Sequence, residues 1–460
     1  MVPSADPITP IDASDCKHAW HPFTQMQEYF SNPRLHLVKG EGSWLIDAEG
    51  NRYLDGNASV WTNVHGHNDP DLNAALKAQL EQVAHVTLLG LNHRVASELA
   101  EDLASLTDGA LPRCFFTDNG SNAIEVALKL SFQYWQLMGR EEKRGVISMR
   151  GAYHGDTFGT MSVGDSSGFH QRFTPWLFHS KIFSAPSHVE CAGQVQASEV
   201  QSSLQELEKI LQNESSRIAC LILEPRVQGA AGMRQQPQGF LKSAALLCQK
   251  YQVHLILDEV FTGFGRLGSL TAAEQEGVVP DFLCLAKGLA AGYLPLAATL
   301  TRESIFSAFQ GHFSEGKTFF HGHTFSGNPL ACAVARASLK KLRPMIQSGQ
   351  LTESASLLGR EISQNFATHP QVCGYRQLGL TAAIDFSPAD RRRHWPVDLR
   401  AGYQVSLLAR KHGLIIRPLA DSILFVPPIA IKPDEIRHLV KAVRLAVDEV
   451  LPKLEVHSLS

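Results

Sequence analysis

The stretch DFLCLAKGLAAGYLPLAATL, residues 281–300, places one lysine, Lys287, where an otherwise apolar run meets a glycine. Lysine is rarely buried without a partner, and desolvation drives its amine toward the neutral form. Either the side chain reaches back to water or its amine has chemistry to do. The run reads as a short buried strand followed, after the glycines, by a second one. Strands of the same kind recur upstream as RCFFT, GVISM, IACLIL and VHLILD. Helical patterns lie between several of them, one from about Ser121 to Met138 and another at GFLKSAALLCQKY. Continuous apolar strands separated by helices predict an α/β fold with a mostly parallel sheet covered on both faces.

Beyond residue 331 the pattern changes. Helices at LACAVARASLKKLR and about 351–367 precede strands at AAIDF, LIIRP and ILFVPP, and a helix from about Pro433 closes the chain. Strands grouped between helices predict a smaller α+β domain. SWLIDAEGNRYLDG reads as a hairpin belonging to the same layer. The expected division is an N-terminal arm and hairpin over 1–60, a large domain over 61–330 and a C-terminal small domain over 331–460. The Pro/Ser/Asp-rich first fifteen residues read as a loose arm.

With 460 residues, a net charge of -3 and 44% hydrophobic residues, the composition is that of a globular protein of two or three structural units. Nothing in the charge pattern favours nucleic acid or membrane as a partner. No apolar run reaches the roughly 18 residues of a membrane span. The start, MVPSADPITPIDASD, lacks the basic and apolar regions of an export signal, which points to the cytoplasm. Cys16, Cys114, Cys191, Cys220, Cys248, Cys284, Cys332 and Cys373 are scattered without a C-x-x-C pair. They read as reduced core thiols, with no metal site.

In open α/β sheets ligands gather at the carboxyl ends of the strands, so the residues just past each strand carry the functional reading. After RCFFT, Gly120 and Ser121 open a helix, whose free N–H groups and hydroxyl form an anion site. They serve equally as an ordinary cap, and Asn122 with Glu125 as a capping box. After GVISMR, Tyr153 and His154 lie between glycines. Tyr153 can lie on an aromatic ligand ring or simply anchor its own turn. After VHLIL comes Asp258, a carboxylate that is costly to leave ionised without a facing cation or good donors. The same segment holds Gly263-Phe264-Gly265-Arg266-Leu267-Gly268, formally G-x-G-x-x-G, which opens a nicotinamide-dependent oxidoreductase reading. That fingerprint requires its first glycine directly after the strand, and here several residues intervene. The interval from Asp258 to Lys287 fits one short helix and one strand, placing both at the same end of neighbouring strands. They form a salt bridge, or they face one ligand, an acid under a pyridinium nitrogen and an amine that condenses with an aldehyde. Ser121, Tyr153, Asp258 and Lys287 together supply the parts a pyridoxal cofactor needs.

LILDEVFTGFGRLG, LCLAKGLAAGYLPLAA and FFHGHTFSGNPLACAVA resemble the class III, omega-type aminotransferases of pyridoxal-phosphate fold type I, over almost the whole chain. HAWHPFTQM, DGNASVWTNVHGHN, FQYWQ, YHGDTFGTMSVGD, EPRVQGAAGM and IRPLADSILFVPP resemble more narrowly the family that makes 7,8-diaminononanoate from 8-amino-7-oxononanoate for biotin. The resemblance implies a large, mostly parallel seven-stranded sheet domain beside a smaller α+β domain, pyridoxal 5'-phosphate as cofactor and a homodimer with shared sites. It implies that Lys287 anchors the cofactor and moves the proton, that Asp258 holds the ring nitrogen, and that Val260 and Tyr153 flank the ring. Gly120 and Ser121 would bind the phosphate, joined by Thr324 from the neighbouring subunit, and His323 would also meet the cofactor. Substrate would meet Phe23, Val60, Trp61, Tyr153, Gly322 and Arg417, the arginine pairing with a carboxylate or lying on the surface of the small domain.

Two departures concern the amino donor. Many members of this family that use S-adenosylmethionine carry Tyr where this chain has Phe23, and Trp-Trp where it has Val60-Trp61. Phe23 cannot hydrogen-bond, and Val60 removes an aromatic wall. HPFTQM, VWTNVHGHN and HGHTFSGN resemble the branch that takes its amine from lysine, so S-adenosylmethionine and lysine both stand as donors. Neutral repacking at either position is the alternative. A broader omega-amino acid or diamine aminotransferase using pyruvate or 2-oxoglutarate, and an aminomutase, are rivals within the fold. A catalytically silent relative is a further rival, opposed by the intact lysine and aspartate.

Overall fold

The computed structural model describes residues 10–165, 168–186, 197–390 and 395–459, which leaves Cys191 outside. An N-terminal set of strands, β1 (Leu37–Glu41), β2 (Trp44–Asp47) and β3 (Arg52–Asp55), is followed by β4 (Arg113–Thr117), β5 (Gly145–Met149), β6 (Lys181–Phe183) and β7 (Ile218–Leu223). The two-residue strands β8 (Val227–Gln228) and β9 (Arg234–Gln235) precede β10 (His254–Asp258), β11 (Phe282–Leu285) and β12 (Ala297–Thr301). The C-terminal part holds β13 (Val372–Leu378), β14 (Thr381–Phe386), β15 (Leu414–Ile415), β16 (Arg417–Leu419) and β17 (Ser422–Phe425).

Seven strands form the central sheet in the order β4-β12-β11-β10-β7-β5-β6. β10 runs parallel to β7 and β11, whereas β12 is antiparallel to both β11 and β4. The sheet is therefore mixed. Residues 286–296 are too few for the helical crossover a parallel partner requires, so the chain turns straight back. β7, β10, β11 and β12 are buried along their whole length. Side chains such as Ile256 and Leu257, both at 0% exposure, contribute about 2 kcal/mol each by leaving water.

The helix Gly120–Leu137 covers one face. It starts where the Asn119 side chain accepts the Asn122 N–H at 3.1 Å, as an N-cap should. Asn119, not an Asn122–Glu125 box, is thus the cap. Glu125 instead accepts the Thr160 N–H at 3.3 Å and the Thr157 hydroxyl. The helix buries Ala123, Ile124, Val126 and Ala127 and is fixed near its end by Trp135, whose Nε1–H donates to the Ala219 carbonyl at 2.9 Å.

Two smaller sheets flank the central one, β13-β14-β17-β16 and β1-β2-β3-β15. LIIRP is not one strand. Leu414 and Ile415 pair with β3, while Arg417 onward pairs with β17. The break has a cause: the Ile415 carbonyl accepts the Gly56 N–H at 2.8 Å, and the Asn57 side chain takes the Arg417 N–H. Residues 10–18 form a helix where the sequence reads as a loose arm. Asp15 ties it down by accepting from the Tyr29 hydroxyl at 2.7 Å and pairing with His21 Nε2 at 3.0 Å. Among the described residues no helix is long and apolar enough to cross a membrane.

The G-x-G-x-x-G segment opens no helix. It is a run of turns in which Phe264 is buried, Gly265 and Gly268 have positive φ, and Arg266 Nη1 donates to the Leu380 and Pro427 carbonyls at 3.2 and 2.6 Å. Its glycines serve a buried turn that joins the central sheet to the C-terminal one, and the dinucleotide reading falls.

Candidate active site

A cavity of about 510 Å³ opens at the carboxyl ends of β4, β5, β7, β10 and β11. Its lining includes Trp61, Gly120, Ser121, Tyr153, Asp258, Val260 and Lys287 from the sequence reading, together with His154, Asp118, Glu224 and Phe261.

Lys287 follows β11 after a single residue and holds a left-handed backbone, φ +43°, a conformation that costs a side-chain-bearing residue about 1–2 kcal/mol. Its Nζ stands 5.1 Å from the Trp61 ring centre and 5.9 Å from that of Phe261. Among the described residues no hydrogen bond or ion pair engages the amine. Desolvation lowers its pKa, opposed by the negative charges of Asp258 and Glu224. An unpartnered amine biased toward neutrality is a nucleophile and a proton carrier.

Asp258 ends β10, beside Cys284 of β11. It does not bridge to Lys287. Oδ2 lies 2.7 Å from His154 Nδ1, and Oδ1 accepts the Val260 N–H at 3.0 Å. The His154 side chain is wholly enclosed, and its Nε2 is buried without a hydrogen-bond partner. Asp258 is therefore a buried carboxylate with two donors already in place and room for a further N–H facing the cavity.

Gly120 and Ser121 present the free N–H groups of the helix start. Close packing explains the glycines here. A Cβ on Gly120 would sit 2.7 Å from Val260 Cγ1, and one on Gly155, at φ +128°, would sit 2.0 Å from Ser121 Oγ. Ser121 Oγ accepts the Asp156 N–H at 3.3 Å. Tyr153 donates its hydroxyl to Asp156 at 2.9 Å and its N–H to Glu224 Oε1 at 3.1 Å. Its ring stacks on His170 at 5.7 Å. Burial raises the Tyr153 hydroxyl pKa far above its ordinary value, so it stays a donor.

The other residues singled out in the sequence do not line this cavity within one chain. Phe23 is 61% exposed and connects through Phe169, whose ring is 5.7 Å from Phe23 and 6.4 Å from Tyr153. Val60 and Arg417 are exposed. Arg417 lies next to the Trp61 turn through its backbone bond to Asn57. Gly322 and Thr324 are exposed, and His323 Nδ1 contacts Asp118 Oδ2 at 2.9 Å on the rim.

Glu224 is the functional-looking residue that the sequence reading passed over. It directly follows β7 and accepts the Gly229 N–H at 3.0 Å in addition to that of Tyr153. Burial, and after it the nearby Asp258 charge, raise its pKa to about 7. The signal was present: the strand-end rule that selects Asp258 selects Glu224 equally.

This arrangement fits a phosphorylated pyridine aldehyde. The helix start offers N–H donors for the phosphate, Asp258 an acceptor for the ring nitrogen, and Lys287 an amine for the aldehyde.

Known proteins resemble this chain over most of its length. The family described as aminotransferase class-III matches residues 26–447. The adenosylmethionine-8-amino-7-oxononanoate aminotransferase of Geobacter sulfurreducens is 44% identical over 440 residues, covering 95% of this chain and 97% of that protein. The protein of that name from Aquifex aeolicus is 39% identical, covering 97% and 98%. Among solved structures, the adenosylmethionine-8-amino-7-oxononanoate aminotransferase of Methanocaldococcus jannaschii has a TM-score of 0.90 at 35% identity, covering 96% of this chain and 99% of that one. An (S)-enantioselective omega-transaminase from Thermomicrobium roseum has a TM-score of 0.89 at 35% identity, covering 95% and 98%. The chain belongs to the class III aminotransferase family.

Proposed function

We propose that this chain is a pyridoxal 5'-phosphate-dependent transaminase that converts 8-amino-7-oxononanoate to 7,8-diaminononanoate in biotin biosynthesis, working in the cytoplasm as a homodimer. The observation that carries the reading is the free Lys287 amine facing the same cavity as the His154-backed Asp258 carboxylate. The cofactor supplies an aldehyde for amine exchange and a ring that withdraws electrons from the reacting carbon. Lys287 would carry the proton between the substrate carbon and the carbon of the cofactor's aldehyde, and its desolvation keeps enough neutral amine to do so. Asp258, held by His154, would keep the ring nitrogen protonated. Val260 and Tyr153 would flank the ring. Gly120 and Ser121 would hold the phosphate, joined by Thr324 of the second copy, with His323 also at the cofactor. Arg417 receives the substrate carboxylate, with Gly322 beside the substrate chain.

Support for the homodimer comes from the surface around Gly322. Phe320, Phe325, Leu89 and Leu91 are 74%, 58%, 75% and 58% exposed in the single chain, an apolar patch that a second copy would cover. The pairing of β3 with β15 supports assigning residues 1–60 to the C-terminal small domain of 331–460, apart from a large domain of 61–330.

The test is spectroscopic and then kinetic. Purified protein carries a visible cofactor band, and borohydride fixes the cofactor to Lys287. A colourless protein indifferent to added pyridoxal phosphate ends the reading. Loss of that band on adding S-adenosylmethionine, lysine or small amino acids separately identifies the donor. Response to pyruvate-linked or 2-oxoglutarate-linked amines alone would mark a broader omega-transaminase. The double variant Phe23→Tyr/Val60→Trp shifts the donor ratio by about tenfold with little change in stability. Unchanged donor ratios remove these positions from the specificity argument.

A further inference from the structure

The turn that delivers Trp61 to the cavity is built against the preference of its own residues. Ala58, Ser59, Val60 and Trp61 all have left-handed φ values, 46, 48, 63 and 71°. The Asn57 carbonyl accepts the Trp61 N–H at 2.8 Å, and the Ala58 carbonyl accepts the Thr62 N–H at 2.9 Å, so these residues form a short left-handed helical turn. None is glycine, and Val60 is β-branched, the kind of residue least suited to that region. Such a turn persists only when its surroundings over-determine it.

One buried carboxylate supplies the determination. Asp55, 2% exposed, accepts the Ser59 hydroxyl at 2.8 Å on Oδ2 and the Asn57 N–H at 3.3 Å on Oδ1. His67 Nε2 lies 3.0 Å from the same Oδ2. The Asn63 side-chain amide donates to His67 Nδ1 at 3.3 Å, which assigns the proton to Nε2 and makes His67 a donor to Asp55. Asn57 ties the start of the turn to the neighbouring sheet, donating to the Leu424 carbonyl at 3.0 Å and accepting the Arg417 N–H. At the other end, Trp61 packs on Phe261 at 4.5 Å and faces Lys287. A Cβ on Gly229 would come within 2.9 Å of Phe261 and 3.1 Å of Trp61.

We infer that Asp55, oriented by His67, is a positioning residue that holds the 58–61 turn in its left-handed form and so fixes the Trp61 wall of the substrate cavity. Asp55 is not among the residues that line the cavity. Its effect reaches the site through Ser59, Asn57 and the turn. Because Val60 rides on the same turn, the network also sets where that exposed side chain stands. The inference rests on the transaminase reading for its kinetic consequence, but not for its structural one.

The test uses the full-length protein as purified, labelled with 5-fluorotryptophan, with the Trp61 signal identified as the one lost in Trp61→Phe. Asp55→Asn and Ser59→Ala move that ¹⁹F signal. Ser59→Ala raises KM for the keto acid about tenfold with kcat within about twofold, as expected from a displaced wall. Ser59→Gly loses the hydroxyl but adopts left-handed φ without strain, so it retains the native signal and KM. That rescue separates turn conformation from general stability, and the Ser59 pair decides the matter even if Asp55→Asn fails to fold. An unmoved Trp61 signal in Ser59→Ala, or a Ser59→Gly variant as impaired as Ser59→Ala, overturns the inference. If the signal moves as expected while the unsubstituted protein aminates no keto acid, the positioning role stands and the transaminase reading fails.

Discussion

Two lysines in this chain leave bulk water, and they do opposite things with their amines. Lys143 is 0% exposed, and its Nζ donates to three carbonyls, those of Ser215, Ile218 and Gln252, at 2.8, 2.7 and 2.9 Å. It lies 4.4 Å over the Trp135 ring. Lys287 borders a cavity, has aromatic rings near its amine and engages no acceptor. Desolvation lowers the pKa of both. Burial alone therefore does not mark a reactive lysine. What separates them is the number of acceptors, the left-handed backbone at Lys287 and the space in front of its amine. Lys143 has every donor satisfied and acts as a staple between the central sheet and two loops. Lys287 has none satisfied and is available for chemistry.

The largest effect that separates the two is on turnover. Lys287→Ala lowers kcat by at least about a thousandfold while the protein keeps its fold and its oligomeric state, because a proton carrier and no packing staple is lost. A melted or dissociated variant would make Lys287 structural and erase the comparison. Lys143→Met has the reverse signature. It removes the hydrogen bonds to the Ser215, Ile218 and Gln252 carbonyls and costs about 3 kcal/mol, read as a lower urea midpoint, with kcat of the folded enzyme unchanged. The pH dependence sharpens this. The Lys143 pKa falls from 10.5 to about 8, chiefly through desolvation, so between those values the unfolded chain holds a proton the folded one lacks. Native stability then rises with pH across that window. Comparing urea midpoints of the Lys143→Met variant at pH 8 and 10 shows the rise missing. A slope identical to that of the parent protein shows that Lys143 is not its source.

Only one of these lysines was legible in the sequence. Lys287 interrupts an apolar strand, and that anomaly, with Asp258 one strand away, leads to the site. Lys143 sits in REEKRG, which reads as a solvated charged turn. Its burial depends on the end of the helix Ala197–Glu214, the start of β7 and the loop after the helix Phe240–Lys250 meeting in space, contacts that no local pattern encodes. The same division runs through the rest of the molecule. Central strands, major helices and strand-end residues follow from periodicity and position. The antiparallel insertion of β12 follows from a loop length that the apolar pattern does not weigh. The break of LIIRP at Ile416 is set by Asn57, a residue some 360 positions away, and the 58–61 turn by Asp55. Where one chain alone leaves Gly322 and Thr324 outside the cavity, the sequence reading rests on the family resemblance, and a single chain offers no geometry for it.

The smallest expected effect concerns what tunes the free lysine. Glu224 is held by two backbone donors, Tyr153 and Gly229, and its charge, after that of Asp258, opposes the desolvation of Lys287. Burial raises its own pKa from 4.5 to about 7, so its charge changes within the neutral range. Below that pH Lys287 loses a negative neighbour and holds its proton less firmly. Glu224→Gln fixes the uncharged state and nearly preserves shape. It moves the titration of the Lys287 nitrogen to lower pH, read as a downward displacement of the midpoint in the pH titration of the visible cofactor band, with a few-fold change in kcat. The stability change has a determined sign. Between pH 4.5 and 7 the folded protein holds a proton on Glu224 that the unfolded chain has released, so this group's contribution is present below the unfolded pKa and lost as pH rises through 7. Glu259, also raised to about 7 by burial, adds a slope of the same direction, so only the difference between variant and parent isolates Glu224. A Glu224→Gln variant with an unmoved titration would mean that Lys287 is governed by desolvation and Asp258 alone. The contrast with Lys143 would then rest on hydrogen-bond satisfaction without any fine electrostatic control.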